Sequence, residues 1–125
     1  MDEAERHCAK RIDANIAILK KEVGITNKDI FRIPTPFEAS NFPVGAYFLG
    51  VVNNLVLNGH KTCVAPNPWG PVINGVDVLA KTIKAQYAKF GIDMKFVDDW
   101  NTHHNSGGEV HCGSNSARNM SARWW

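Results

Sequence analysis

Cys112 is the residue of this sequence best placed to act as a nucleophile. Gly107 and Gly108 precede it and Gly113 follows it directly, and glycines let the backbone and a substrate approach each other closely. A cysteine attacks as the thiolate, and a free thiol with a pKa of about 8.5 needs a cationic neighbour, a helix N-terminus or a charged substrate to ionise near neutral pH. His111 is a poor partner if this run is extended, because adjacent residues of a strand point to opposite faces. Position alone therefore makes Cys112 a candidate.

The other two cysteines are interpreted as small buried hydrophobic residues. Cys8 lies on the apolar face of a predicted helix and Cys63 lies in a predicted strand. An odd number of cysteines without a close pair is typical of reduced thiols. The first six residues mix both charges and do not resemble a secretory signal, so a cytoplasmic location is expected.

Histidines and aspartates near Cys112 offer further chemistry. His103, His104, His111 and Cys112 could bind zinc, but the paired spacing typical of zinc sites is absent, and the histidines are interpreted as surface residues of a polar loop. Asp98 and Asp99 follow a predicted strand, where they could be catalytic, although such pairs more often cap a turn or face water.

Helical periodicity predicts two helices. Apolar residues recur at three- and four-residue steps over residues 3–23, and Gly24 follows as a C-terminal cap. A second helix is predicted from Val76 to a stop at Gly91 by the same spacing.

Alternating and β-prone segments predict the strands. Residues 29–33 and 92–96 alternate apolar and polar side chains, and residues 109–112 form a last extended run. Residues 51–57 and 60–65 flank Asn58-Gly59, which suits a type I′ turn and predicts a hairpin. Hairpin, helix and strand in this order indicate an α/β module. Trp69, Trp124 and Trp125 are interpreted as packing anchors, and the terminal pair would mark an interface if exposed.

Composition limits the class of protein. The 125 residues are 44% hydrophobic and 21% charged, which suits one globular domain. No uninterrupted apolar run reaches the roughly 18 to 20 residues that span a bilayer, so no membrane partner is expected. The net charge of +2 is spread along the chain and predicts no nucleic-acid partner.

Two motifs carry a specific resemblance. Residues 70–75, Gly-Pro-Val-Ile-Asn-Gly, and residues 108–115, Gly-Glu-Val-His-Cys-Gly-Ser-Asn, resemble in this order the C-terminal end of protein-arginine deiminases. The end of the first helix, residues 53–57 and the Trp124-Trp125 pair also fall in the expected order, so the resemblance covers nearly the whole chain.

The resemblance implies a partial α/β propeller of the pentein-like, guanidine-modifying superfamily. Residues 1–125 would be a C-terminal fragment of the catalytic domain, about the last ββαβ module plus part of the preceding one. Cys112 matches the cysteine that, in this family, attacks the guanidinium carbon of a peptidyl arginine. The family reaction is hydrolysis of a C–N bond other than a peptide bond, and it gives citrulline and ammonia.

The resemblance also implies that partners of Cys112 are missing. The family's two aspartates and a histidine, two of them in a His-x-Asp arrangement, lie upstream, and no His-x-Asp occurs in these residues. Calcium is expected for the family, but its acidic ligands also lie upstream, so no ligand is assigned here. Ser106 stands where some members carry a substrate-contacting arginine. The chain alone is expected to be inactive towards an arginine-containing protein substrate.

Two alternatives remain open. The first is a non-catalytic interaction module or degenerate remnant that associates with itself or with a missing N-terminal part, since a single propeller module leaves sheet edges and an apolar face uncovered. The second is a papain-like hydrolase that pairs Cys112 with His60 or His103, although the surroundings typical of that family are absent.

Overall fold

A long helix opens the structure, a computed structural model that describes residues 3–38 and 45–117. Helix α1 spans Glu3–Val23, with acidic residues in its first turn and basic residues in its last, an arrangement that complements the helix dipole. Gly24 ends it with a φ of 77°, and the Gly24 amide donates to the Lys20 carbonyl at 3.1 Å. The predicted helix and its glycine cap are confirmed.

The segment after α1 is not the predicted strand. Asn27–Asp29 form a 3₁₀ turn closed by a capping box, in which Oδ2 of Asp29 accepts from the Thr26 amide at 2.7 Å and from its hydroxyl at 2.8 Å. Residues 30–36 belong to no strand in the described part of the chain. Their alternation instead turns Phe31 and Ile33 onto the hydrophobic core, so one face is buried without a neighbouring strand.

Within the described ranges, seven short strands and a second helix follow α1. They are β1 (Phe37–Glu38), β2 (Gly45–Ala46), β3 (Leu55–Leu57), β4 (Thr62–Pro66), β5 (Val72–Ile73), β6 (Val76–Asp77) and, after helix α2 (Val78–Ala88), β7 (Asp93–Val97). β1 pairs antiparallel with β2 beside α1, and β5 pairs antiparallel with β6 just before α2.

The predicted hairpin exists, but its turn differs from the prediction. β3 and β4 are antiparallel with Leu57 opposite Thr62, so four residues connect them instead of two. Asn58–His60 form a 3₁₀ turn, and Lys61, not Gly59, takes the positive φ, at 48°. The first arm is three residues long because residues 51–53 form a turn instead of extending the strand.

Helix α2 links the hairpin to the last strand of the same sheet. Asp77 caps its N-terminus by accepting from the Ala80 amide at 2.8 Å, and it also accepts from the Gly70 amide at 2.8 Å. β7 lies parallel to β4, and the strand order is β3-β4-β7. The result is a mixed α/β unit with the order strand, strand, helix, strand, into which the β5–β6 hairpin is inserted.

The core lies between α2 and the central strand of this sheet. It comprises buried side chains from four neighbouring parts of the chain, namely Val51, Cys63, Ala65, Ile83, Tyr87 and Met94. Cys63 is fully buried, as predicted, and Cys8 is half-buried on α1.

Trp69 is not the packing anchor predicted from the sequence. Half of its surface is exposed and its φ is positive, at 48°. The Trp124-Trp125 pair lies outside the described residues.

Among the described residues, no helix is both long enough and apolar enough to cross a bilayer.

Candidate active site

Cys112 lies on a tight turn rather than on the extended run predicted for residues 109–112. The Gly113 amide donates to the Glu109 carbonyl at 3.1 Å, which closes a helix-like turn around the cysteine. The strand-based reason for excluding His111 therefore fails. The structure nevertheless gives no hydrogen bond between the His111 ring and Cys112, both of which are described. The His111 amide donates instead to the Asn53 carbonyl at 3.3 Å.

The Cys112 thiol is exposed and receives a hydrogen bond from a distant side chain. Nδ2 of Asn53 donates to Sγ of Cys112 at 3.1 Å. This hydrogen bond, and after it a hydrogen bond with the Glu109 backbone, lowers the pKa of the Cys112 thiol. Desolvation and then the Glu109 charge oppose this shift. A donor to the sulfur favours the thiolate, which is the nucleophilic form.

Asn53 is held by a turn that is anchored in the core. Its amide donates to the Gly50 carbonyl at 2.8 Å, and Gly50 and Val51 are buried. The neighbouring Asn54 donates to the Val51 carbonyl and to the Tyr87 hydroxyl, each at 2.8 Å. Sequence reasoning assigned no chemistry to Asn53, and the only available signal was a pair of asparagines ahead of a short apolar run.

Glu109 is a second residue that the sequence interpretation did not single out. Its carboxylate is buried, and Oε1 accepts from the Gly50 amide at 3.0 Å. Nδ1 of His104 lies 2.9 Å from the same oxygen and acts as the donor, because an ionised carboxylate only accepts. The side chain therefore joins the Cys112 turn to the segment that carries Asn53.

Asp98 and Asp99 lie at the start of the turn that follows β7. The Asp99 carbonyl accepts from the amides of His103 and His104 at 3.0 and 3.2 Å, and Oδ1 of Asp98 accepts from the Trp100 amide at 3.2 Å. The Asp99 carboxylate is only 3% exposed and has no hydrogen-bond partner within residues 3–38 and 45–117. Burial, followed by the nearby charge of Glu109, raises the pKa of Asp99. The turn-capping interpretation fits the Asp98 side chain but not that of Asp99, which is buried and caps no turn. Neither side chain forms a hydrogen bond with Cys112.

Of the three histidines near Cys112, His103 and His104 are partly buried and His111 is exposed. The His104 side chain is 19% exposed and that of His103 is 37% exposed, with Nδ1 of His103 3.8 Å from the Asp99 carboxylate. The interpretation as surface residues is confirmed for the exposed His111 and is wrong for His104, whose ring contacts the buried Glu109 carboxylate, while His103 is intermediate.

No zinc or calcium site is formed by the part of the chain that the structure describes. It contains no group of three or more histidine, cysteine, aspartate and glutamate side chains able to hold a metal ion. These residues therefore do not fit the calcium expected from the family resemblance, and no chemical step is assigned to a metal.

The papain-like pairing receives no support from the geometry. His60 lies in the β3–β4 loop, and His103 packs its ring against Gly113 at the place where a side chain would begin. Neither ring forms a hydrogen bond with Cys112 in the described structure. Ser106 lies exposed in the 3₁₀ turn His104–Ser106, and its relation to a substrate stays a prediction.

Comparison with known proteins gives one consistent result. A sequence model described as protein-arginine deiminase (PAD) matches residues 1–125. Human protein-arginine deiminase type-1 is 38% identical over 120 residues, which are 95% of this chain and 18% of that protein. The human type-3 and type-4 proteins are 38% and 40% identical over 115 and 116 residues, 91% of this chain in each case.

The similarity extends over nearly all of this chain but over less than a fifth of each relative's length. The matched stretch includes the turn of Cys112 and the segment of Asn53 that contacts it. The chain therefore belongs to the protein-arginine deiminase family.

Proposed function

We propose that this chain supplies the nucleophile, Cys112, for conversion of peptidyl-arginine to peptidyl-citrulline. The observation that carries the proposal is the exposed Cys112 thiol with the Asn53 amide donating to its sulfur at 3.1 Å, in a chain of this family. An exposed sulfur can reach a guanidinium on a protein surface, and a donor that stabilises the thiolate prepares it for attack.

The proposed reaction has two steps, attack by the thiolate and hydrolysis of the covalent intermediate. The Cys112 thiolate forms a bond to the guanidinium carbon, a C–N bond breaks, and ammonia leaves after receiving a proton, which gives a covalent thiouronium. Water then attacks the same carbon, the C–S bond breaks, and the products are citrulline and the regenerated thiol. Both steps need a group that transfers protons and groups that orient the guanidinium.

We propose that the 125-residue chain by itself does not turn over arginine. No imidazole or carboxylate of the described residues forms a hydrogen bond with Cys112, so none of them is in place to pass a proton directly to or from its sulfur. Residues 1–125 would act as one C-terminal piece of a pentein-like propeller, to which the strand, strand, helix, strand unit is suited. Calcium would then bind through other parts of a complete enzyme.

A chimera provides the direct test. The matched stretch of human protein-arginine deiminase type-4 is replaced by residues 1–125, and citrulline release from an arginine peptide is measured. We expect turnover that is lost in Cys112→Ala, while Cys63→Ala, at a buried thiol, keeps turnover if folding is retained. A folded chimera without turnover, or turnover that survives Cys112→Ala, would contradict the proposed role of Cys112.

The isolated chain is assayed in parallel with the same peptide. We expect no citrulline, whereas an amidine-bearing electrophile should still alkylate Cys112. Clear turnover by the isolated chain that is lost in Cys112→Ala would show that the expected inactivity is wrong.

A second candidate function is that of an interaction module. The observation that favours it is apolar exposure on α1, where Ile12, Leu19 and Val23 are 40%, 47% and 67% exposed. A cleft of about 480 Å³ also opens beside Ile12 and Ile16 of this helix. Such a surface is typical of an interface. Size-exclusion chromatography with light scattering tests the interaction-module function, because a compact, stable monomer would count against it.

A further inference from the structure

We propose that Glu109 is a positioning residue whose carboxylate aligns Asn53 with the sulfur of Cys112. This inference rests on the proposed function of Cys112 and adds a determinant of its reactivity. Glu109 and Asp99 are the two buried acidic side chains of the described residues. Of these only Glu109 forms hydrogen bonds through its carboxylate, both at Oε1, while its Oε2 has no partner among those residues.

Glu109 begins the turn that carries the nucleophile. Its carbonyl accepts from the Gly113 amide at 3.1 Å, so the position of Cys112 follows the position of the Glu109 backbone. The adjacent Val110 is buried as well. A shift of the Glu109 side chain would therefore move the whole turn.

The carboxylate of Glu109 also holds the start of the opposite segment. Oε1 accepts from the Gly50 amide at 3.0 Å. The Gly50 carbonyl in turn accepts from the Asn53 amide at 2.8 Å, so the turn that Glu109 anchors is the turn that presents Asn53. Two hydrogen bonds, one to each end of Gly50, thus link the Glu109 side chain to the backbone of Asn53, the residue that donates to the thiol.

Two further hydrogen bonds close the same unit. The His111 amide donates to the Asn53 carbonyl at 3.3 Å, and Nδ2 of Asn53 donates to Sγ of Cys112 at 3.1 Å. His104 donates to the shared oxygen of Glu109 and restrains the carboxylate from its other side. Each hydrogen bond is weak alone, but together they restrict the donor and the sulfur to one relative position.

The charge of Glu109 raises the pKa of the Cys112 thiol, whereas the proposed positioning of Asn53 by its carboxylate lowers that pKa. A negative charge near Cys112 disfavours the thiolate, so electrostatics alone would select against an acidic residue here. The length of the Glu109 side chain and its acceptor oxygen instead place the Asn53 donor at the sulfur. The two effects can be separated by substitution, because one variant can remove the charge and another can change the reach.

The test measures the pH dependence of Cys112 alkylation in the full chain, with peptide mass spectrometry to assign the modified thiol. Glu109→Gln keeps an acceptor oxygen at the same reach and removes the charge, so the thiol pKa should stay the same or fall. Glu109→Asp keeps the charge but shortens the side chain, so the thiol pKa should rise and the alkylation rate near neutral pH should fall roughly threefold.

Asp77→Glu serves as the matched control. Asp77 is also a partly buried carboxylate that accepts two backbone hydrogen bonds, from Gly70 and Ala80, but it belongs to the start of α2. Changing its reach by one methylene should lower stability without altering the alkylation profile of Cys112. Thermal unfolding of every variant separates loss of fold from loss of alignment.

A double-variant comparison adds a readout that a purely structural role would not produce. If Glu109 acts through Asn53, Glu109→Asp should have little further effect on the thiol pKa in an Asn53→Ala background. The proposal would be overturned by any of three results. The thiol pKa could be unchanged in Glu109→Asp, it could rise as much in the Asn53→Ala background as in the wild type, or it could rise equally in Asp77→Glu. If Glu109→Asp does not fold, a raised thiol pKa in Glu109→Gln overturns it, and an unchanged or lowered one supports it.

The alkylation experiment and the turnover assay of the chimera can fail independently of each other. Alkylation requires no arginine substrate, so it reports the alignment of Asn53 whether or not Cys112 deiminates arginine. Loss of turnover in the chimera would leave the alkylation result intact.

Discussion

The side-chain amide of Asn53 lies 3.1 Å from the sulfur of Cys112, although 59 positions separate the two residues in sequence. The contact joins the turn ahead of β3 to the turn at residues 109–113, so it exists only when both are packed on the same core. It gives an exposed cysteine a hydrogen-bond donor, and the reactivity of this thiol therefore depends on the fold.

Replacing Asn53 should make Cys112 less reactive. In Asn53→Ala the main influence that lowers the pKa of the thiol is lost, so less thiolate is present at neutral pH and the alkylation rate should fall roughly threefold. The rate is measured against pH with iodoacetamide. Asn58→Ala, in the exposed β3–β4 loop, is the control and should react like the wild type. An Asn53→Ala profile identical to the wild type would contradict the assignment.

A side chain at position 113 should displace the Cys112 turn. A Cβ added to Gly113 would collide with the His103 ring, whereas one added to Gly59 would meet nothing within 4 Å. We expect Gly113→Ala to reduce Cys112 alkylation and chimera turnover several-fold and to lower stability by roughly 1 to 3 kcal/mol, whereas Gly59→Ala should change neither. Urea unfolding and the alkylation assay measure the two effects. Unaltered stability and reactivity in Gly113→Ala would mean that the His103 ring moves aside freely.

Removing the charge of Asp99 should stabilise the fold at neutral pH. Burial raises the pKa of Asp99 above its ordinary value of 3.8, so the folded state holds its proton more tightly than the unfolded state. Stability of the wild type is therefore lost as pH rises from about 4 through the folded pKa. Asp99→Asn should raise the free energy of unfolding at pH 7 by about 1 kcal/mol, with no gain near pH 4.

Urea unfolding at both pH values tests the Asp99 prediction. Asp98→Asn, which removes an exposed charge from the neighbouring residue, is the control and should change stability little. Destabilisation of Asp99→Asn at pH 7 would indicate that a neighbour such as His103, whose Nδ1 lies 3.8 Å away, stabilises the charged carboxylate by more than burial destabilises it.

The buried thiol of Cys63 should make the fold sensitive to alkaline pH. Burial raises the pKa of Cys63 from 9.0 to about 11, so above pH 9 the unfolded chain loses this proton while the folded chain keeps it. Stability is therefore lost between about pH 9 and pH 11, and the advantage of the wild type over Cys63→Ala should shrink by about 2 kcal/mol over that range.

Chemical denaturation across the alkaline range gives the stability difference for Cys63. The native chain should also resist alkylation at Cys63 while Cys112 is modified, because only Cys112 is exposed. A constant difference between wild type and Cys63→Ala would show that the thiol ionises equally in both states.

Patterns among neighbouring residues correctly predicted both helices and the last strand. Both helices follow the 3.6-residue spacing of their apolar side chains, and Gly24 and Gly91 take the positive φ values of 77° and 69° that suit a helix end. Residues 93–97 form a strand close to where alternation placed it.

Predictions failed where hydrogen bonds of a short segment, and not its own apolar pattern, set its conformation. Residues 29–33 alternate as a strand would, but a capping box takes up Asp29 and no described strand pairs with the rest. Asn58-Gly59 suits a two-residue turn, yet the register of β3 and β4 leaves four residues between them. Residues 109–112 curl into a turn because Glu109 is drawn into the core by Gly50 and His104.

The sequence by itself determined the family motif, the two helices and the identity of Cys112 as the candidate nucleophile. Only the tertiary structure decided what touches that cysteine, because a hydrogen bond between residues 53 and 112 depends on how β3, β4 and the last loop pack together. Motifs and helical periods are read from neighbouring residues. Contacts across the fold arise when burial of Val51, Cys63 and Met94 brings distant turns to one place, and no local pattern records that placement.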